Sequence, residues 1–300
     1  MEEVKLWKEE YRIGNEKIDA QHKELFFKVE DLLDMAMTGD EETNRQECLE
    51  LLDFLVSYTI FHFDTEEELQ KELNYVSYSQ HARIHSEFKN TVRAYQEKVE
   101  QDFSKEVLKK LTGTLMTWLT MHVCDCDRKI VKNEPISPEI NFDGAEGLIR
   151  MVSVPLLVRT YNMDIQRART SVYKGDIEGK IIVRNIFDMG KKHVFLFGFS
   201  EDMARALYRK ISSMEIENID ELNHIEQASM LELCNIISTQ TMAYIIHKRE
   251  SSSLESQGEI YMGEYSDPSI DINNSVLLEF ETDCGRLEIL YCTADESAEK

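Results

Sequence analysis

Eight histidines stand in this 300-residue chain. Five of them, His22, His62, His81, His85 and His122, lie in its first half on segments with helical periodicity. His81 and His85 are four residues apart, so both imidazoles leave one helix face. His62 and Glu66 repeat that step. Asp127 follows His122 by five residues, which is a turn of about 140° around an ideal α-helix. A long-reaching carboxylate or a loosened terminal turn is needed for both to serve one site. Imidazole suits iron, zinc, copper and nickel, and carboxylates can bridge two metals. Five histidines and two carboxylates exceed what one tetrahedral zinc requires. They suit two six-coordinate ions that share bridging carboxylates and leave a position open. A lone histidine on an apolar helix face is ordinary core, but five spread over four helices are not. Glu67 and Glu68 lack the four-residue step from His62 and read as solvated. His193, His224 and His247 show no ligand spacing and read as structural or surface residues.

The elements that must position these groups are legible from apolar spacing. Residues 19–37, 42–69, 72–101 and 104–131 each repeat apolar side chains at three and four, as in Leu108, Leu111, Leu115, Leu119 and Val123. The connections are short, Thr38-Gly39-Asp40 and then a polar stretch near Asn74–Ser79. Four helices so joined predict an up-down-up-down bundle. After Ile130 the texture changes, and the stretch VKNEPISPEINFDG holds two of the four prolines. Beyond this linker, RARTSVYKG, GKIIVRNIF and KHVFLFGF read as strands. Asp202–Ser213 and Asp220–His247 read as helices. SVLLEFET and GRLEILYC form a last strand pair around Asp283-Cys284-Gly285. Residues 144–161 look helical except for Pro155. The expectation is a multidomain chain: an all-α bundle over 1–133, a linker over 134–143, and an α+β domain over 144–300. That last domain has a largely antiparallel sheet and a long helix.

Composition narrows the function classes. An apolar fraction of 42 % is enough for proper cores. The formal net charge of -23 repels nucleic acid phosphates and anionic lipid heads, so neither is expected as a partner. No run approaches a membrane span, and MEEVKLWKEEYRIGN lacks the basic start and apolar stretch of a signal peptide. The six cysteines show no disulfide framework, which points to a reducing cytoplasm.

The string Trp7, Tyr11, Gly14, Asp19, Gln21-His22, then His62-Phe63-x-x-Glu66, His81-x-x-x-His85-x-x-Phe88 and Trp118-Leu119-x-x-His122-x-x-x-x-Asp127 resembles a bacterial hemerythrin. The resemblance covers the first domain and fills every ligand position. It implies two non-haem iron ions joined by an oxo or hydroxo group, with dioxygen as ligand. His81, His85 and His122 would hold one iron, His22 and His62 the other, and Glu66 and Asp127 would bridge them. Phe26, Phe63, Leu115 and Leu119 are candidates for an apolar lining that slows proton entry. Trp7 and Trp118 read as packing residues.

GDIEGKIIV, VFLFGFSEDMARAL and the helix containing ASMLELCNIIS resemble the CheX-type chemotaxis phosphatases. The motif within it is Glu232-x-x-Asn235, two residues on one helix face. The resemblance implies that Asn235 orients a water at the aspartyl phosphate of a CheY-like response regulator, while Glu232 contacts its lysine. It also implies a homodimer through this domain. Ala228 stands where the family usually has an acidic or hydroxyl residue. Thr239 and Gln240 stand where it tends to have glycine and asparagine. The leading expectation is an oxygen- or redox-sensing phosphatase of a phosphorylated CheY-like partner. Two alternatives are an oxygen carrier or store whose tail only docks or dimerises, and a peroxide- or nitric-oxide-handling di-iron protein.

Overall fold

The computed structural model describes residues 6–38, 45–101, 103–136, 144–171, 173–245, 256–263, 265, 270 and 275–294. The chain divides into two compact units, parted after residue 138.

The first unit holds α1 (Glu16–Thr38), α2 (Arg45–Glu72), α3 (Tyr78–Gln101), α4 (Lys105–Met121) and the short α5 (Arg128–Lys132). Asn15 caps α1, its Oδ1 accepting from the backbone N–H of Lys17 at 3.1 Å and of Ile18 at 3.2 Å. Ser104 caps α4 by accepting from Val107 N at 3.2 Å. Each helix turns one apolar stripe inward, and Leu32, Leu52 and Leu111 are fully buried. Burying a leucine contributes about 1.5–3 kcal/mol, so this seam is what holds the bundle.

Two departures from the sequence pattern concern the helix ends. The third helix was expected from residue 72, but α2 runs to Glu72 and α3 begins at Tyr78. Asn74 takes a left-handed conformation, φ 50°, which ends α2. The fourth helix is not α-helical to its end, because His122–Asp127 forms a π-helical turn before α5. The expected loop at Thr38-Gly39-Asp40 lies outside the described residues from 39 onward, as do 137–143 of the expected linker. Residues 134–136 do not behave as linker. Ile136 is buried with Tyr75 and Ile130, its N–H reaches Ser77 Oγ at 3.1 Å, and Lys129 Nζ donates to its carbonyl at 3.1 Å.

The second unit is α+β. It comprises α6 (Gly144–Pro155), β1 (Ile165–Ser171), β2 (Ile181–Asp188), β3 (Lys192–Phe199), α7 (Glu201–Ser212), α8 (His224–Ile245), β4 (Gln257–Met262), β5 (Ser275–Thr282) and β6 (Gly285–Ala294). The sheet is antiparallel throughout, in the order β1-β5-β6-β3-β2-β4. Residues 144–161 resolve into α6 and a π-turn over Leu156–Thr160, so Pro155 ends the regular helix. The long helix starts at His224 rather than Asp220. Asn223 Oδ1 accepts from Ile225 N at 2.9 Å, and Glu226 Oε2 accepts from Asn223 N at 2.7 Å, a reciprocal cap. Residues 246–247 of that expected helix lie outside the described residues. β4 was not anticipated: QGEIYM is an edge strand with exposed polar positions and no β-branched run.

Candidate metal centre

His22 comes from α1, His62 and Glu66 from α2, His81 and His85 from α3, and His122 and Asp127 from the π-turn. All seven are buried and converge. The Nε2 of His122 lies 3.2 Å from that of His81 and 3.0 Å from that of His85. Asp127 Oδ1 stands 3.2 Å from His81 Nε2 and 3.0 Å from His122 Nε2, while Oδ2 stands 3.1 Å from His22 Nε2. Glu66 Oε2 lies 3.2 Å from His85 Nε2 and 3.9 Å from His62 Nε2. Both carboxylates therefore face a three-histidine group and a two-histidine group at once.

The π-turn explains how Asp127 takes its place. Its i→i+5 pattern brings residues five apart onto one face, so the awkward step from His122 becomes the correct one. No long reach is needed. The donor set fits a metal centre on its own chemistry. Both oxygens of Glu66 and of Asp127, and both ring nitrogens of His22, are buried without a hydrogen-bond partner. Leaving such groups unmatched costs about 1–3 kcal/mol apiece, and cations held among them remove that cost. Two clusters satisfy the distances a metal needs: Glu66, His81, His85, His122 and Asp127, and His22, His62 and Asp127.

The model of the hemerythrin HHE cation binding domain matches residues 13–132. Myohemerythrin of Theromyzon tessulatum is 32 % identical over 123 residues, which is 41 % of this chain and 88 % of that protein. The chain belongs to the hemerythrin family. Its hemerythrin domain is also 31 % identical over 122 residues to bacteriohemerythrin of Pseudomonas paraeruginosa, covering 76 % of it. The second unit is similar to solved chemotaxis proteins. CheX from Desulfovibrio desulfuricans matches 50 % of this chain and 98 % of its own, at 15 % identity and TM-score 0.39. A CheX–CheY–BeF3–Mg complex from Borrelia burgdorferi matches 51 % of this chain and 99 % of its own, at 12 % identity and TM-score 0.41.

Around the hemerythrin centre, side chains one layer out fix the imidazoles. His62 Nδ1 meets Gln21 Oε1 at 3.1 Å, which sets His62 Nδ1 as the donor and turns Nε2 to the centre. His85 Nδ1 meets Glu67 Oε1 at 3.1 Å. Glu67 is thus not merely solvated as its spacing suggested. What the spacing missed is that the residue after Glu66 on α2 reaches His85 on α3. Phe63 stacks on His85 with ring centroids 3.7 Å apart, and Trp118 stacks on His122 at 4.2 Å. Trp118 thus packs on the face of His122.

An apolar cavity of about 20 Å³ adjoins these rings. Phe63, Leu115 and Leu119 line it as expected, joined by Trp118 and Phe88, whereas Phe26 is turned toward Trp7 and Tyr11 instead.

Electrostatics favour the neutral form of His62 and His122 and the protonated form of His85. Burial lowers His122 to about 4 and His62 well below the usual imidazole value. Burial also opposes protonation of His85, but the nearby carboxylates of Glu66 and Glu67 outweigh it and raise that group. Burial works against charge on Asp127, yet His122, His22 and His81 hold its carboxyl well below the usual range.

In the second unit Glu232 and Asn235 share one face of α8, both half-buried. Burial pushes the Glu232 carboxyl up to about 7, against a hydrogen bond from the Asn235 side chain. Asn235 Oδ1 accepts from Ser256 Oγ at 2.6 Å and from Thr239 Oγ1 at 3.3 Å. Ala228 is buried and faces the core.

Proposed function

We propose that the hemerythrin domain holds two iron ions and reports dioxygen or redox state, and that the second domain dephosphorylates a CheY-like response regulator. The observation that carries the first half is the convergence of seven buried ligands with unmatched polar atoms. His81, His85 and His122 would hold one ion, His22 and His62 the other, with Glu66 and Asp127 between them. When bound, the ion pair supplies electrons and an open position for dioxygen. The chain's own part is to orient the imidazoles, through Gln21 and Glu67, to hold His62 and His122 neutral by burial, and to keep water out. The apolar cavity beside Phe63 and Trp118 has room for about one water-sized molecule, and aliphatic and aromatic side chains make up all of its lining but Thr59.

The second half rests on the pair Glu232 and Asn235. Hydrolysis of an aspartyl phosphate needs a water in line with the scissile bond. As the water oxygen bonds to phosphorus, the bond to the aspartyl oxygen breaks, and both protons leave with inorganic phosphate. Positioning dominates such a reaction. Asn235 would place the water, and an ionised Glu232 would pair with the regulator's lysine to fix docking. Such a regulator partner belongs to the cytoplasm.

An optical spectrum tests the metal reading. Oxo-bridge charge-transfer bands should bleach on reduction and return with oxygen. Two bound metals with no such bands would overturn it. Replacing Glu232 and Asn235 by alanine separates signalling from carriage: a carrier would keep every activity.

A further inference from the structure

The partners of Asn235 restrict what its amide can offer. A carbonyl oxygen has two lone pairs, and Oδ1 meets two hydroxyl donors, Ser256 at 2.6 Å and Thr239 at 3.3 Å. Neither hydroxyl is on the motif itself. Ser256 immediately precedes β4, and Thr239 lies one helical turn beyond Asn235 on α8. The Asn235 side chain also hydrogen-bonds Glu232, whose carboxylate, in the ionised form that docking requires, accepts only from an N–H. Hydroxyls can donate or accept, so the directional contact is the one with the ionised Glu232 carboxylate, which sets the nitrogen toward Glu232 and leaves the oxygen to the two hydroxyls. The three contacts spend both lone pairs of Oδ1 and one of the two amide hydrogens. The remaining valence, among the described partners, is the second N–H.

We infer that Asn235 acts as a hydrogen-bond donor, and that Ser256 and Thr239 are positioning residues that lock its amide with the N–H outward. This inference rests on the phosphatase reading above and specifies how that site works. An N–H donor takes one lone pair of the attacking water and leaves the other free to form the bond to phosphorus. An amide free to rotate would present its oxygen part of the time, so the lock affects turnover rather than docking. Thr239, at a position where the resembled family tends to have glycine, thereby has a use in this chain. Ser256 supplies the shorter of the two bonds and the stronger constraint.

The test uses the full-length iron-loaded protein and receiver domains of its source organism, phosphorylated with acetyl phosphate. Dephosphorylation is followed for the wild type, Ser256→Ala, Ser256→Thr, Asn235→Asp and Asn235→Ala. The expected result is that Ser256→Ala lowers kcat about ten-fold or more with KM unchanged, since misplacement of a reacting group is costly. Ser256→Thr keeps the hydroxyl and should recover most of the rate. Asn235→Asp keeps an oxygen but loses the donor, and should be as slow as Asn235→Ala. An activity-independent readout is the side-chain amide of Asn235 by nitrogen-15 NMR, whose hydrogens should exchange faster in Ser256→Ala. Unchanged or higher kcat in Ser256→Ala, or substantial activity in Asn235→Asp, overturns the inference alone. If the wild type accelerates none of the receivers and Asn235→Ala behaves identically, the phosphatase reading fails and takes the inference with it.

Discussion

At the scale of single residues, the chemistry lies in which groups are left with unsatisfied valences and which are held. Glu67 illustrates the second kind, because its carboxylate fixes His85 through Nδ1 at 3.1 Å while Phe63 stacks on the ring face. Glu67→Ala should weaken metal binding about 10–100-fold, the usual cost of losing an outer partner of a ligating imidazole. Competition against a chelator of known affinity measures it, and unchanged metal retention would remove Glu67 from the account. Glu232 yields a second prediction, because burial pushes its carboxyl up to about 7. Between the ordinary carboxylate range and pH 7 the folded chain holds a proton that the unfolded chain has released. Stability from this group therefore falls as pH rises through that interval. Function runs the other way, since only the ionised form can pair with a lysine. KM for a phosphorylated regulator should rise as pH falls through about 7, and Glu232→Gln should show a high KM without that pH dependence. A KM that ignores pH in the wild type would contradict the docking role.

At the scale of elements, the bundle's helices and most strands were legible because apolar periodicity is a local property of the chain. The four-residue steps His62–Glu66 and His81–His85 could be read for the same reason. The five-residue step from His122 to Asp127 stated a requirement without revealing how it is met. The answer is a π-turn, which no residue type in HVCDCD marks. The start of α3 depended on Asn74 adopting a left-handed conformation, a choice asparagine permits but does not compel. β4 escaped notice because an edge strand needs only one partner and carries little apolar signature. The reach of Glu67 to His85 and of Ser256 to Asn235 joins residues far apart in sequence, so spacing could not show either. Gly198 on β3 is a comparable tertiary demand. A Cβ there would lie 2.4 Å from the carbonyl oxygen of Glu178 and 3.0 Å from Ile177. Gly198→Ala should cost about 1–3 kcal/mol, the range for an overpacked site, as a lowered denaturation midpoint of the second unit. An unchanged midpoint would mean that the 177–178 segment shifts freely.

At the scale of the whole molecule, one chain carries a hemerythrin domain and a second α+β unit. Its net charge of -23 discourages polyanionic partners, and among the described residues no helix is long and apolar enough to cross a membrane. For the first domain to regulate the second, its ligand states must bias the second unit differently. Asp127 and the π-turn are suited to begin that effect. Asp127, proposed to bridge the two ions, sits on the turn that leads through α5 to Ile136, which is packed against Tyr75 beside His81. The central claim is that dioxygen or redox state at the iron pair sets the rate of regulator dephosphorylation. The direct measurement is that rate for the deoxy, oxy and oxidised forms of the same preparation against the same phosphorylated receiver domain. The account predicts rates that differ between forms and interconvert as oxygen is removed and readmitted; equal rates in all three would contradict it.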